Sequence, residues 1–215
     1  MTRLAAGGQG RWALALGPTG RVQWQRRCPS PREVYVRVLV CYATRHGATA
    51  GIAERIAERL GGSDLSVECR SIDDVDDVDA YDAFVIGASA YMFHWLKQAT
   101  KFVKRHRSVL ASKPVWLFSS GPLGTDLVDD DGRDVVEVTR PKEFDRLESL
   151  VRPVETRVFF GAWDPDSPPS GMAEKVVRLM PAARAEIPAG DFRDWPAIDA
   201  WAAGIAATLD HDSRS

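Results

Sequence analysis

The sequence is poor in cysteine, with three among 215 residues: Cys28, Cys41 and Cys69. Three scattered thiols cannot build a disulfide framework or a cysteine metal site. Cys41 and Cys69 lie in apolar or alternating runs, so they read as buried free thiols, and a reducing, cytoplasmic setting fits. A surplus of either charge is missing too. The formal net charge is -2, and nothing in that balance marks a nucleic-acid binder. Long apolar runs are also lacking, so no segment is expected to span a bilayer. The stretch "WALAL" follows Gln9 and Arg11 and precedes no cleavage pattern, so no signal peptide is expected there. What is present is ordinary globular material, 45% hydrophobic and 27% charged, at a length that suits one domain.

Residues 1–34 differ from the rest. They are rich in Gly, Arg and Pro and show no sustained periodicity. "GQGRWA", Gly8 to Ala13, fits G-x-G-x-x-A but has no strand before it, so it is no dinucleotide fingerprint. A disordered extension is expected there. A native start near Val36, from a non-standard start codon, would make the extension an artefact of gene prediction. The folded domain is expected over 35–210, with a tail at 211–215.

From Tyr35 the pattern becomes regular. "VYVRVLVCYA" is a β-branched strand. "TAGIAERIAERL" carries Ile52, Ala53, Ile56, Ala57 and Leu60 at helical spacing, stopped by Gly61 and Gly62. "LSVECRSI" alternates as a strand, and the acidic stretch Asp73 to Asp82 carries a turn or short helix. "AFVIGAS" is a buried strand, "WLKQATKFVKRHRSVL" a helix, "VWLFSS" a strand and "PKEFDRLESL" a helix. "TRVFFGAW" reads as a fifth strand, "MAEKVVRLM" as a helix, and "DWPAIDAWAAGIAATL" as a last helix capped by Asp194 with Pro196 in its first turn. The alternation predicts an α/β fold: a doubly wound five-stranded parallel sheet, order 2-1-3-4-5, with helices on both faces. Ligands of such sheets sit beyond the carboxyl ends of the strands at the switch point.

Three loops fall there. "TRHGAT", Thr44, Arg45, His46, Gly47, Ala48 and Thr49, is a glycine turn into a helix N-terminus, where unpaired N–H groups and the helix dipole attract phosphate. Thr44 and Thr49 add hydroxyls. The plainer reading is a capped helix start. The second loop, Gly87 to Trp95, includes Ser89, Ala90, Tyr91 and Met92, and Tyr91 is placed to offer a flat face to a planar ring; alternatively its aromatics only staple the next helix. The third, Ser119, Ser120, Gly121, Pro122, Leu123 and Gly124 running on to Asp126, is a sharp turn with exposed donors for the polar edge of a ring, or an ordinary turn. The conjunction of all three at one sheet edge carries more weight than any one of them.

Arg45-His46-Gly47 after an apolar strand also resembles the histidine phosphatases, where such a His is phosphorylated. That chemistry needs a second His, a further Arg and an acid at the same point. His94, His106 and His211 carry no signature of the second His, so His46 is assigned to the loop. Lys97, Lys101, Lys104, Arg105 and Arg107 crowd one helix. They form a solvated face or a docking site for an acidic redox partner or an anionic membrane surface.

"RVLVCYATRHGATAGIAERIAERL" resembles the start of a flavodoxin domain. "YDAFVIGASAYMFHWLKQATKFVKRHRSVLASKPVWLFSSGPLG" is similar to the flavodoxin-like proteins grouped with menaquinone-dependent protoporphyrinogen oxidase, as is "GDFRDWPAIDAWA". The resemblance covers about residues 36–209. It implies a flavodoxin-like fold and bound FMN, with phosphate at Thr44 to Thr49 and the ring between the second and third loops. It also implies electron transfer, with porphyrinogen and a quinone as reactants, or a carrier without its own substrate, and a protein at the inner face of the membrane or free in the cytoplasm. A flavodoxin-fold binding module without flavin is the remaining alternative. His46 stands where flavodoxins often place a hydroxyl residue, and the third loop offers no aromatic side chain.

Overall fold

The computed structural model describes residues 12–16, 22–26, 36–61, 65–164 and 188–212. The chain divides into two compact units, residues 1–34 and 35–215. In the first, β1 (Trp12–Leu16) pairs antiparallel with β2 (Val22–Arg26). The segment expected to be without regular structure therefore holds a strand pair. The alternation in "VQWQR", with Gly17-Pro18 and Gly20 between the two runs, is the signal for it.

The second unit is built on β3 (Val36–Ala43), β4 (Leu65–Ser71), β5 (Ala83–Tyr91), β7 (Val115–Ser120) and β8 (Glu155–Phe159). They lie in the order β4-β3-β5-β7-β8, every neighbouring pair parallel. This is the expected order 2-1-3-4-5. Parallel strands are buried on both faces, which is why "VLVC", "AFVI" and "VWLF" are unbroken apolar runs.

Alternate residues divide between two cores. Val38, Val40, Val85, Trp116 and Phe118 share one with α1 (Ala48–Leu60) and α6 (Trp195–Asp212), through Ile52, Ile56, Ile198 and Trp201. Leu39, Cys41, Phe84, Ile86 and Leu117 share the other with α2 (Lys97–Arg105), α3 (Arg107–Leu110) and α5 (Phe144–Val151). Asp194 caps α6 as expected, its Oδ1 accepting from Ala197 N–H at 3.0 Å. Burial pushes the Cys41 thiol far up and the Cys69 thiol to about 11, so both remain protonated at neutral pH.

Three expectations need correction. The helix read over Trp95 to Leu110 is two, broken at His106, whose φ -98 and ψ 15 leave the helical range. A short α4 (Val135–Val138), capped by Asp134, was not foreseen. The fifth strand ends at Phe159; Ala162–Trp163 forms β9, which pairs antiparallel with β10 (Gly190–Asp191) in a separate small sheet. Gly161 is the break: its N–H is spent on Pro122 O at 2.8 Å, outside the parallel ladder. The helix read at "MAEKVVRLM" lies outside the described residues.

One glycine holds the first core at the sheet. A methyl placed on Gly87 would sit 1.9 Å from Phe118 Cζ. Gly87 and Phe118 are register partners, and the Phe118 ring lies across the missing side chain and meets Phe159 and Trp201 edge-on at 6.1 and 6.0 Å.

Candidate functional site

The parallel register brings the carboxyl ends of β3, β5 and β7 level: Ala43 faces Ala88, and Ala88 and Ser89 face Ser119 and Ser120. A pocket of about 70 Å³ opens on that edge. Thr44, His46 and Ala48 line it from the first loop, Ser89, Ala90 and Tyr91 from the second, and Ser120, Gly121 and Leu123 from the third. The three loops singled out in the sequence therefore meet at one place.

The first loop has the geometry of an anion cradle. Thr44 Oγ1 accepts from Gly47 N–H at 3.0 Å, closing the turn. Gly47 sits at φ 83, where a side chain would be strained. No side chain caps α1 and no acid occupies its first turn, so the N–H groups at that end keep their positive field for a ligand.

Thr49 takes a different part from the one expected of it. It is fully buried, and its Oγ1 lies 2.7 Å from both Ser89 Oγ and Ser120 Oγ. One hydroxyl from each of three elements makes a polar floor that locks α1 to β5 and β7 beneath the pocket. Ser119, one residue earlier, points to the other side of the strand, and its buried Oγ has no hydrogen-bond partner.

Of the other residues singled out, Arg45 is exposed, its guanidinium 4.5 Å from the Tyr91 ring centroid. Pro122 is buried, and Gly124 adopts φ 102 beside Pro188. Met92 is 87% exposed. Met92 and Phe93 are the two central residues of the turn joining β5 to β6 (His94–Trp95), both at positive φ, 48 and 65. A two-residue turn of that kind ordinarily calls for Asn or Gly, so this backbone is strained at the mouth of the pocket.

Sequence reading missed a fourth contribution. Gly161, Ala162 and Trp163 also line the pocket. Trp163 supplies the aromatic wall that the third loop lacks, from the segment read as the end of a strand. Arg193 was missed as well. It donates to Ala48 O at 3.3 Å, stacks on Trp195 at 4.4 Å and pairs with Asp191 at 2.6 Å. A methyl on Gly51 would meet its Nη1 at 2.5 Å. "GDFRDW" was the available signal, a charged run just ahead of a capped helix.

The requirements of a histidine phosphatase do not meet at His46. His94 lines a separate groove, where its Nδ1 is 2.9 Å from Glu143 Oε1, and His106 packs on Phe102. In the acidic run Asp129 to Asp131 after the third loop, Asp129 and Asp131 hold Arg133 at 2.7 and 2.8 Å. Among the described residues, no cluster of His, Cys, Asp and Glu could hold a metal and no helix is long and apolar enough to cross a membrane.

A doubly wound sheet with an uncapped phosphate-type loop and aromatic side chains at its switch point defines a nucleotide-cofactor fold of flavodoxin type. The flavodoxin domain family matches residues 39–167, and the chain belongs to that family. FMN is the cofactor that goes with it, which makes the chain a flavoprotein of electron transfer. The chain is similar in structure to a flavodoxin from the domain Archaea (19% identity, covering 57% of this chain and 82% of that one, TM-score 0.42). It is similar also to flavodoxin 2 from Bacillus cereus (20%, 70% and 98%, TM-score 0.43). A third similar structure is rubredoxin oxygen:oxidoreductase from Desulfovibrio gigas (11%, 83% and 37%, TM-score 0.49), of which this chain spans little more than a third. No curated protein matches the chain.

The residues present fit FMN. The uncapped α1 end offers N–H donors with no acid against them, the hydroxyl floor is polar, and Tyr91 and Trp163 offer flat faces in the same pocket.

Proposed function

We propose that the pocket at the carboxyl edge of the sheet holds FMN, and that the chain passes electrons through it. The observation that carries this reading is the convergence of four loops on one pocket at the uncapped start of α1. The backbone N–H groups of Ala48 and Thr49, with the Thr44 hydroxyl, hold the phosphate. Tyr91 and Trp163 hold the ring, and the backbone of Gly121 to Gly124 meets its polar edge. Thr49, Ser89 and Ser120 fix the spacing of the loops from below. Bound FMN supplies one- and two-electron transfer; the protein's part is to bind it, orient it and limit its contact with water.

The finer reading is oxidation of a porphyrinogen with a quinone as acceptor. It is favoured by the stretch from Tyr81 to Gly124, which resembles the protoporphyrinogen oxidase-like flavodoxins. The rival is a carrier that exchanges electrons with other proteins and has no small substrate.

Two assays test these readings. Tyr91→Ala and Trp163→Ala each weaken FMN binding roughly tenfold in flavin-fluorescence titrations, the loss of about 1–2 kcal/mol of stacking; unchanged affinity in both would place the ring elsewhere. Anaerobic protoporphyrinogen with a soluble menaquinone analogue then gives porphyrin fluorescence only if the finer reading is right, and a carrier gives none.

A further inference from the structure

We infer that a groove adjoining the cofactor pocket binds a second ligand, a small flat organic polyanion with at least two carboxylate or phosphate groups. The groove has a volume of about 470 Å³, and Tyr91 is the residue it shares with the cofactor pocket. Its rim carries three cations, Arg45 from the β3–α1 loop and Lys97 and Lys101 from α2, and His94 from β6 also lines it.

These charges lack compensation. Lys97 and Lys101 stand one turn apart on the same side of α2, where like charges repel. Among the described residues, neither they nor Arg45 has a carboxylate in ion-pair range. Arg37, Arg55 and Arg140, by contrast, are paired, with Glu68 at 3.3 Å, Asp199 at 2.7 Å and Glu148 at 2.5 Å. The carboxylate that reaches this region, Glu143, is already engaged, one oxygen 2.9 Å from His94 Nδ1 and the other accepting from Trp95 N–H at 3.0 Å. α2 also begins inside the groove, with no side-chain cap at Leu96, so its dipole adds to the positive field. An anion is the missing partner.

Shape narrows the class. The cations ring a concavity whose size lies within the small-molecule range of about 300–1,000 Å³. The exposed ring of Tyr91 lines it, which suits a planar ring carrying the anionic groups. The more protruding Met92–Phe93 tip, and not this groove, is what a lipid surface would meet first. The groove's role as a second-ligand site rests on reading the adjoining pocket as the flavin site. Anion binding itself does not.

Calorimetric titration of the full chain, with and without FMN, uses terephthalate and pyrophosphate as probes and dimethyl terephthalate as the uncharged control. At least one dianion should bind saturably, the ester should not, and Lys97→Gln/Lys101→Gln should weaken the dianion roughly tenfold or more while leaving FMN uptake, read by absorbance, unchanged. Terephthalate alone indicates a carboxylate ligand, and pyrophosphate alone a phosphate. No saturable binding of either dianion, or binding indifferent to the two substitutions, overturns the inference. So does co-sedimentation with phosphatidylglycerol vesicles in the absence of dianion binding, which makes the face a membrane contact. If the unaltered chain takes up no FMN, the flavin reading falls, and the same titration still decides the groove.

Discussion

Two regions of the molecule, the α1–α6 surface and the groove beside α2, treat charge differently. On the α1–α6 face, Asp199 of α6 holds Arg55 and Arg59 of α1 at 2.7 and 2.5 Å, and Glu58 adds a further contact to Arg55. Beneath them lies the aromatic group of Phe118, Phe159 and Trp201. On the α2 face, Lys97 and Lys101 stand without carboxylate partners beside a strained turn and a groove. Paired charge over a packed core ties helices together. Unpaired charge beside a cavity costs stability unless something else supplies the counter-charge, and so marks a surface for recognition. Between the two faces, at the strand ends, lies the pocket proposed for FMN.

Substitutions should separate the faces. The largest loss is expected at Gly87→Ala. The added methyl cannot coexist with the Phe118 ring, and displacing that ring disturbs Phe159 and Trp201 with it. Overpacking of this kind costs about 1–3 kcal/mol or more, and chemical denaturation should show it as a lower midpoint with an unchanged slope. An unaltered midpoint would show that the core of the α1–α6 face tolerates a shift.

The turn at the other face should respond in the opposite direction. Met92→Asn with Phe93→Gly supplies residues suited to positive φ and relieves strain of about 1–3 kcal/mol per residue. The Phe93 ring, which has Lys142 at 5.9 Å, is lost in exchange. The net expectation is a higher denaturation midpoint. A lower one would mean that the side chains at this tip hold the turn more than the backbone resists it.

Asp199→Asn should give a smaller, pH-dependent loss of thermal stability. Hydrogen bonds from Arg55 and then Arg59 hold the Asp199 carboxyl well below its ordinary value of 3.8. A group whose pKa is depressed on folding adds stability above its unfolded value, and that contribution fades as the pH falls below it. The gap in Tm between parent and variant should therefore be full at neutral pH and shrink in acid below about 3.8; a gap that stays constant would mean that the ion pairs contribute nothing. The smallest effect on stability belongs to Lys97→Gln/Lys101→Gln, within about 0.5 kcal/mol either way. A marked loss there would show that these lysines are structural and that the contrast between the faces is false.

Much of the fold was legible because its signals are local. "VRVLVC" and "AFVIG" could only be doubly buried strands, and Ile52, Ile56 and Leu60 could only face a core. The three loops were placed by topology: once the strands alternate with helices, their carboxyl ends must share an edge. Trp163 was misplaced because "TRVFFGAW" is apolar to its end, and apolarity does not reveal that Gly161 spends its N–H on Pro122. Thr49 was assigned to the ligand because a hydroxyl at a helix start usually faces outward; its two serine partners come from 40 and 71 residues away. The groove beside Tyr91 was invisible for the same reason. The basic residues of α2 could be read in the sequence, whereas the nearness of Arg45 and the engagement of Glu143 depend on long-range packing.

The visible absorption spectrum of the purified chain, after incubation with FMN and desalting, tests the central claim most directly. The account predicts flavin bands that stay with the protein, in an amount close to one per chain, and that are lost selectively in Tyr91→Ala and Trp163→Ala. A folded protein that emerges colourless would contradict it, because the loops at Gly47, Tyr91 and Trp163 would then form a pocket that does not hold the flavin.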